Sequence, residues 1–471
     1  MFPNFQPNPD MTEHEIGRRS LMLGAVALTA GCAGLSAAEP LPPVVFVHGN
    51  GDSAALWMTT LWRFESNGWP RDRLHAIHLP YPLARDSDDK PQPGRTSTAE
   101  HRAYLAAEID RVLAATGERQ VVLFANSRGG NAVRSYAMTG GAAKVSHAIL
   151  GGTPNHGVRF DAASNPTNEF NGAGPFLQAL NNQGAPGVEV TPGPRWMTLR
   201  SDSNDKFAQP EGTAIGAPGK ATGVTFDGPA LRGALNVVLP GVDHRETSFS
   251  PQAFAAAFQF ITGRVPATTG FQPENRVLPI CQLSGQVSGL GLDNDPARGA
   301  FVNNLPLAGA TVEVFATDPA SGERRGPARW QGQVGADGRW GPFEADGSTP
   351  YEFVVTAPGY ALTHIYRTPF PRSSTIVNLR AERLLDADKA AGAVLTFTRP
   401  RGYFSLPRDR VVFDGIDPAP GIARGVANFS VSKIKLPAAP PRAVVGEFNG
   451  ERIVARSWPA ADNHVVLLEL H

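Results

Sequence analysis

Val121-Val122-Leu123-Phe124-Ala125-Asn126-Ser127-Arg128-Gly129-Gly130 is the stretch whose reading decides the fold. Its first half is apolar and partly β-branched, the pattern of a strand buried on both faces of a parallel sheet. Asn131 to Met138 then reads as a helix. The serine between them sits on a sharp strand-to-helix turn that lifts its hydroxyl above the sheet edge. Small residues on either side let the backbone make that turn without clashes, and the pattern is Gly-x-Ser-x-Gly with Ala125 in the first glycine's place.

The flanking segments continue the alternation. Val44-Val45-Phe46-Val47 is a short strand running into His48-Gly49-Asn50-Gly51, where glycine permits close approach of a ligand to backbone N–H groups. Ser53 to Phe64 has helical spacing that puts Trp57, Leu61 and Phe64 on one face, and Leu74 to Leu79 is the next strand, with His75 and His78 read as structural. Residues 81–95 form a proline- and aspartate-rich loop. Ser97-x-x-Glu100 is a capping box that opens a helix carrying Tyr104, Leu105, Ile109, Val112 and Leu113 on one side, and Gly117 stops it. Later strands are expected at 147–150, 195–200 and 234–239, with a last helix over 251–261. Strand and helix in alternation predict a doubly wound, mostly parallel α/β sheet. Catalytic groups in such sheets lie at the carboxyl ends of the strands, which is where His48-Gly49-Asn50 and Ser127 both fall.

His147-Ala148-Ile149-Leu150 ends in Gly151-Gly152-Thr153-Pro154-Asn155-His156-Gly157. The His-Gly loop, the Ala-x-Ser-x-Gly turn and this segment, in that order, resemble the α/β-hydrolase superfamily and its secreted bacterial and archaeal lipases over about residues 41–265. The resemblance implies a serine ester hydrolase, a lipase or esterase acting through an acyl-enzyme on Ser127. It implies a base in the loop after the last strand, which is His244 in Pro240-Gly241-Val242-Asp243-His244. It also implies an acid in the loop after the strand at 195–200, which is Asp205, with Asp202 as the alternative. The order Ser127, Asp205, His244 is the chain order of this fold. Backbone N–H groups of Asn50 and Arg128 are the expected oxyanion donors. His156 is read as bracing a loop. Residues 161–193, rich in Asn, Gly and Pro, are an insertion over the site, either a lid or a surface loop.

Lys plus Arg and Asp plus Glu both number 43, so no nucleic-acid partner is expected. No cofactor or metal is expected either: there is no paired Cys/His ligand spacing and no glycine-rich phosphate loop. The Gly-Leu-Asp-Asn-Asp stretch at 291–295 is read as an acidic turn rather than a calcium site. Residues 1–38 are expected to be an export leader of the twin-arginine type, with Arg18-Arg19-Ser20 ahead of an apolar run too short to span a bilayer. Ser36-Ala37-Ala38 is one cleavage site and Thr29-Ala30-Gly31-Cys32, a lipoprotein-like box, is another. The mature protein is then periplasmic, secreted or lipid-anchored through Cys32.

At 471 residues more than one domain is expected. The catalytic domain is placed at 39–265 and a linker at 266–281. From about 283 long amphipathic helices give way to short strands and turns, predicting an all-β sandwich or barrel: one module at 282–382 and, at 383–471, a second β-rich module or the rest of one barrel. Strands are expected at 310–316, 329–334, 351–355 and 375–379, with a hairpin-like turn at Ala336-Asp337-Gly338. Leu307 to Val312 and Asp337 to Trp340 resemble small transthyretin-like or carboxypeptidase-regulatory-like modules. The whole arrangement resembles archaeal long-chain lipases whose β domain assists lipid binding, which implies a lipid, polymer or small-molecule ester as substrate. Leu395, Phe397, Tyr403 and Phe404 are read as core, with a lipid- or polymer-facing surface as the alternative. Polyester depolymerase and acyltransferase are the alternative activities on the same triad, and a non-catalytic cell-surface binding protein is the alternative class.

Overall fold

The computed structural model describes residues 41–182, 185–213, 220–274, 280–289, 303–399 and 401–471. The expected leader with Cys32 and the 291–295 turn lie outside these residues. The first half holds β1 (Val44–Val47), α1 (Met58–Ser66), β2 (Leu74–Ala76), α2 (Thr98–Thr116), β3 (Val121–Asn126) and α3 (Arg128–Met138). It continues with β4 (Val145–Gly151), α4 (Pro175–Asn181), β5 (Arg195–Ser201), β6 (Leu235–Leu239), α5 (Glu246–Phe249) and α6 (Pro251–Thr262). All six strands are parallel, in the order β2-β1-β3-β4-β5-β6.

The period-two alternation of the strands divides the sheet between two cores. Val44 and Phe46 face one way, onto Trp57, Leu61 and Phe64 from the α1 side and Phe254 and Phe258 of α6. Val45 and Val47 face the other way, onto Leu105, Ile109 and Val112 of α2 and Val133 and Tyr136 of α3. Helices on both faces leave the central strands β1 and β3 fully buried, which is why they are almost continuously apolar, whereas the edge strand β6 is largely exposed. The capping box forms at Ser97 and Glu100, and Gly117 ends α2 in a left-handed conformation, φ 70°. The chain passes from β1 outward to β2 and returns to β3 on β1's other side, so the crevice between β1 and β3 is the topological switch point.

The second half contains β7 (Ile280–Gly289), β8 (Thr311–Ala316), β9 (Trp330–Gln333), β10 (Arg339–Asp346), β11 (Tyr351–Thr356), β12 (Leu362–Arg367) and β13 (Leu379–Ala381). After these come β14 (Ala393–Thr398), β15 (Val411–Phe413), β16 (Val431–Leu436), β17 (Ala443–Phe448), β18 (Glu451–Arg456) and β19 (His464–Glu469). They form a seven-stranded mixed sheet, β16-β14-β19-β12-β11-β8-β9, and two three-stranded sheets, β10-β7-β13 and β15-β17-β18.

Three expectations are corrected here. Residues 282–382 and 383–471 are not separate modules, because β19 runs parallel between β12 and β14 and joins both stretches in one sheet. Its Leu467 packs into the core shared with the hydrolase sheet while Val466 and Leu468 pack beneath the β15-β17-β18 sheet, so both of its faces are covered. The turn ending at Gly338 forms, with φ 73° and its N–H donating to Gly335 O, but its flanking strands β9 and β10 lie in different sheets rather than a hairpin. The strand expected at 375–379 begins only at Leu379.

Within the stretch expected to be a linker, the described residues 266–274 pack against α1. Phe271 meets Trp62 edge-to-face at 5.5 Å, and Thr269 O accepts the Arg63 Nε–H at 2.7 Å. Trp62 also donates its indole N–H to Ser373 O at 3.0 Å, and Asn304 donates its amide to Asp52 O and Leu79 O. One hydrophobic cluster therefore runs from Phe46 through Trp62 to Phe353 and Phe370. Among the described residues no helix is long and apolar enough to cross a membrane.

Candidate active site

β3 ends at Asn126 and the chain turns at Ser127, whose backbone (φ 52°, ψ −123°) lies in a region that side chains other than glycine rarely occupy. The turn is held from both sides. A Cβ on Gly129 would come within 2.7 Å of Val47 O and His48 O, and one on Gly130 within 1.9 Å of the Thr153 hydroxyl. Both glycines are therefore required by close approach. Ala125, at the first small position, is fully buried and its methyl joins the core behind the sheet. The Ser127 N–H donates to Gly151 O at 2.8 Å, tying the turn to the end of β4.

The loop after β1 rests against this turn. His48 accepts the Leu79 N–H on Nε2 at 3.1 Å, which leaves the proton on Nδ1 to donate to Gly49 O at 2.9 Å. Burial lowers the His48 pKa below 6.5 and keeps the ring neutral. Asn50 is the second residue of a turn closed by the Asp52 N–H to Gly49 O, and its side-chain oxygen accepts the Ala84 N–H. Arg128 is the first residue of α3, where a backbone N–H has no intrahelical acceptor. Among the described residues neither N–H is engaged in the loop hydrogen bonds around it.

His244 lies in the loop between β6 and α5, buried, with Nδ1 2.9 Å from both Asp205 carboxylate oxygens. Asp205 also accepts the Phe207 N–H at 2.8 Å, and the Phe207 ring meets the imidazole edge-on at 4.7 Å. The structure thus brings Asp205 to His244. Asp202 points elsewhere: its carboxylate accepts the Gly241 N–H at 2.9 Å and the Ser203 hydroxyl at 3.0 Å, and those bonds, led by Gly241, lower its pKa. Ser127, His244, Gly49 and Asn50 line one cavity of about 340 Å³, whose apolar wall includes Val158, Phe170 and Phe207. His156 stands apart, with Nδ1 on Gly228 O and Nε2 on Glu189.

Several contributors carry no signal in the sequence. Asn126 donates its amide to Ser248 Oγ and to His244 O, linking the serine turn to the histidine loop. Arg128 makes a buried bidentate pair with Glu169 at 2.8 Å and donates to Pro82 O and Thr96 O. That pair pins the segment at 161–193, whose only described helix is α4, to the residue after the serine. Tyr403 comes from the β domain. Its ring forms part of the cavity wall beneath Lys206, whose ammonium lies 4.1 Å from the ring centre and is shifted to about 8 by burial and by Arg245. Leu395, Phe397 and Phe404 are core residues. Among the described residues no group of three or more His, Cys, Asp or Glu side chains is arranged to hold a metal ion.

Residues 42–180 match the family described as the alpha/beta hydrolase fold, and the parallel sheet with its serine turn has that fold. Residues 280–384 match the family described as the lipase C-terminal domain, so the two matched stretches together resemble a lipase. No curated protein matches the chain. Similar solved structures include the mature form of lipase BlEst2 from Bacillus licheniformis, at 22% identity and TM-score 0.33 over 47% of this chain and 90% of that one. The propeptide form of the same lipase aligns over 90% and 95% of the two chains, at 16% identity and TM-score 0.34. A monoacylglycerol lipase from Paleococcus ferrophilus aligns over 47% and 93%, at 14% identity and TM-score 0.32.

Proposed function

We propose that this chain hydrolyses carboxylic esters through an acyl-enzyme on Ser127. The observation that carries the reading is the Asp205–His244 contact at 2.9 Å on the wall of the cavity that the strained Ser127 also lines. A serine hydroxyl is a weak nucleophile at neutral pH and needs a base. His244 Nε2 takes the Ser127 proton as Oγ attacks the ester carbonyl, and Asp205 holds the proton on Nδ1 and stabilises the imidazolium. The oxyanion is met by the N–H groups of Asn50 and Arg128. His244 returns the proton to the departing alcohol, and a water deprotonated by His244 then releases the acid and regenerates the serine. The apolar wall of Val158, Phe170 and Phe207 suits an acyl chain.

The test is hydrolysis of p-nitrophenyl esters from acetate to palmitate, with Ser127→Ala alongside. Turnover lost in the variant supports the reading. Rates rising with chain length assign a lipase and falling rates an esterase, while activity surviving in Ser127→Ala rejects the mechanism. Export by the twin-arginine route belongs to the same proposal, and replacing Arg18 and Arg19 by lysine should hold the protein in the cytoplasm.

A further inference from the structure

A second cavity, of about 240 Å³, lies between the hydrolase domain and the β domain and takes no part in the chemistry above. Its polar wall is built from both halves: Asp52 and Arg245 from the loops flanking the candidate site, and Arg367, Arg380, Glu382, Arg401 and Glu469 from the β domain. Two of the arginines have carboxylate partners, Arg245 with Asp52 at 3.0 Å and Arg367 with Glu469. The other two do not. Arg380 donates to the Asn304 side-chain oxygen at 2.9 Å and Arg401 to Leu470 O, and among the described residues neither has a carboxylate within 4.0 Å.

Burial sharpens the imbalance. Arg401 is 2% exposed and Arg367 3%, and the Nε–H of each is buried with no hydrogen-bond partner. Burial raises the Glu382 carboxyl to about 8 against the pull of Arg380, which weakens it as a counter-charge for that guanidinium. Four guanidinium groups thus face three carboxyl groups, Asp52, Glu382 and Glu469, the second of them weakened by burial. Uncompensated buried charge is strongly unfavourable, and unmatched guanidinium donors are the forks that carboxylates and phosphates fit. The volume corresponds to about eight waters at ~30 Å³ each, enough for a phosphate- or dicarboxylate-sized anion with some water.

We propose that this interdomain cavity binds a small oxyanion carrying two or more negative charges, held by Arg380 and Arg401 with Arg367 beside them. The site is independent of the ester-hydrolase reading, although Asp52 and Arg245 line both cavities, so its occupant lies one ion pair away from the His244 loop.

The test titrates the full chain with inorganic phosphate and, separately, with citrate, at constant ionic strength against chloride, following calorimetric binding and the thermal midpoint. Saturable binding of one anion per chain is expected, weakened at least about tenfold in Arg380→Gln and in Arg401→Gln, in line with loss of one charge-assisted contact. The arm that saturates more tightly distinguishes a phosphate ligand from a carboxylate. Thr396→Met, which fills the cavity without removing charge, should abolish binding and decides the matter if the arginine variants fail to fold. A non-saturating effect equal to chloride's, or one-to-one binding that survives Thr396→Met, overturns the proposal.

Discussion

Replacing Arg399 by methionine should damage the candidate site from the β domain. The Arg399 guanidinium lies 3.3 Å from Asp243 and 2.6 Å from Glu246, on either side of the turn that carries His244. Methionine keeps the apolar stem and removes the charge. Breaking a buried ion pair on one side costs about 3–5 kcal/mol. Glu246 keeps Arg408 at 2.6 Å, and Asp243 keeps the N–H groups of Tyr403, Arg245 and Glu246, so the lower end, about 3 kcal/mol, is expected. If the loss is confined to the His244 loop it corresponds to about a 150-fold rise in the open population. The pH dependence is specific. Burial, with Glu246 next to it, raises the Asp243 pKa from 3.8 to about 6, while Arg399 pulls it down. Between those values the folded state keeps a proton that the unfolded chain has lost, so this group's contribution to stability is full below pH 3.8 and is lost as pH rises through 6. Without Arg399 the protonated form persists to higher pH. The penalty of the substitution should therefore be small near pH 5 and complete near pH 8, measured by denaturant unfolding and by kcat on a short p-nitrophenyl ester at each pH. A penalty below about 1 kcal/mol at pH 8, the range of a surface pair, or one that does not change with pH, would refute the reasoning.

Asp205→Asn should lower kcat about ten-thousand-fold, because an amide N–H facing Nδ1 forces the proton onto Nε2; Asp202→Asn should stay near wild type, and equal losses would mean the acid is misassigned. Ser127→Gly should abolish turnover yet raise unfolding stability by about 1 kcal/mol, because glycine adopts φ 52° with little strain; urea unfolding reads this, and a loss of stability counts against strain at the turn. Gly129→Ala should cost about 1–3 kcal/mol and lower activity as well, since its methyl would press on Val47 O and His48 O and displace the Asn50 loop; thermal unfolding and kinetics measured together would show it.

The α/β half was legible because its signals are local. A strand buried on both faces must be apolar throughout, a strand-to-helix turn must be small on both sides of its serine, and a capping box names its own helix end. Asp202 and Asp205 stood level because both follow the same strand. Only the fold reveals that Asp202 turns back to Gly241 while Asp205 reaches His244. The β half was less legible because its pairings are distant in sequence. Nothing within His464–Glu469 marks it as the strand between β12 and β14, since register there is fixed by partners about 70 to 100 residues away. The buried pair of Arg128 and Glu169 left no trace for the same reason: two charged residues 41 apart read as surface until the fold buries them.

The same distant contacts give the β domain a part in the site that differs from offering a lipid surface. Asn204, next to Asp205, accepts the Ser405 hydroxyl and the Ala427 N–H on its side-chain oxygen, and donates its amide to Gly241 O in the His244 loop. Asp243, next to His244, accepts the Tyr403 N–H and pairs with Arg399. Arg399, Tyr403, Ser405 and Ala427 of the β domain thus grip the immediate neighbour of Asp205 and the immediate neighbour of His244. In an α/β sheet those two residues ride on separate loops after different strands, and loops are the elements least fixed by the sheet itself. Here both loops that meet at the 2.9 Å contact between Asp205 and His244 are hydrogen-bonded to the β domain. A cut at residue 265 would remove that anchor and strip Phe271, Phe370 and His471 from the ring of Trp62, so it should lower stability and ester turnover together.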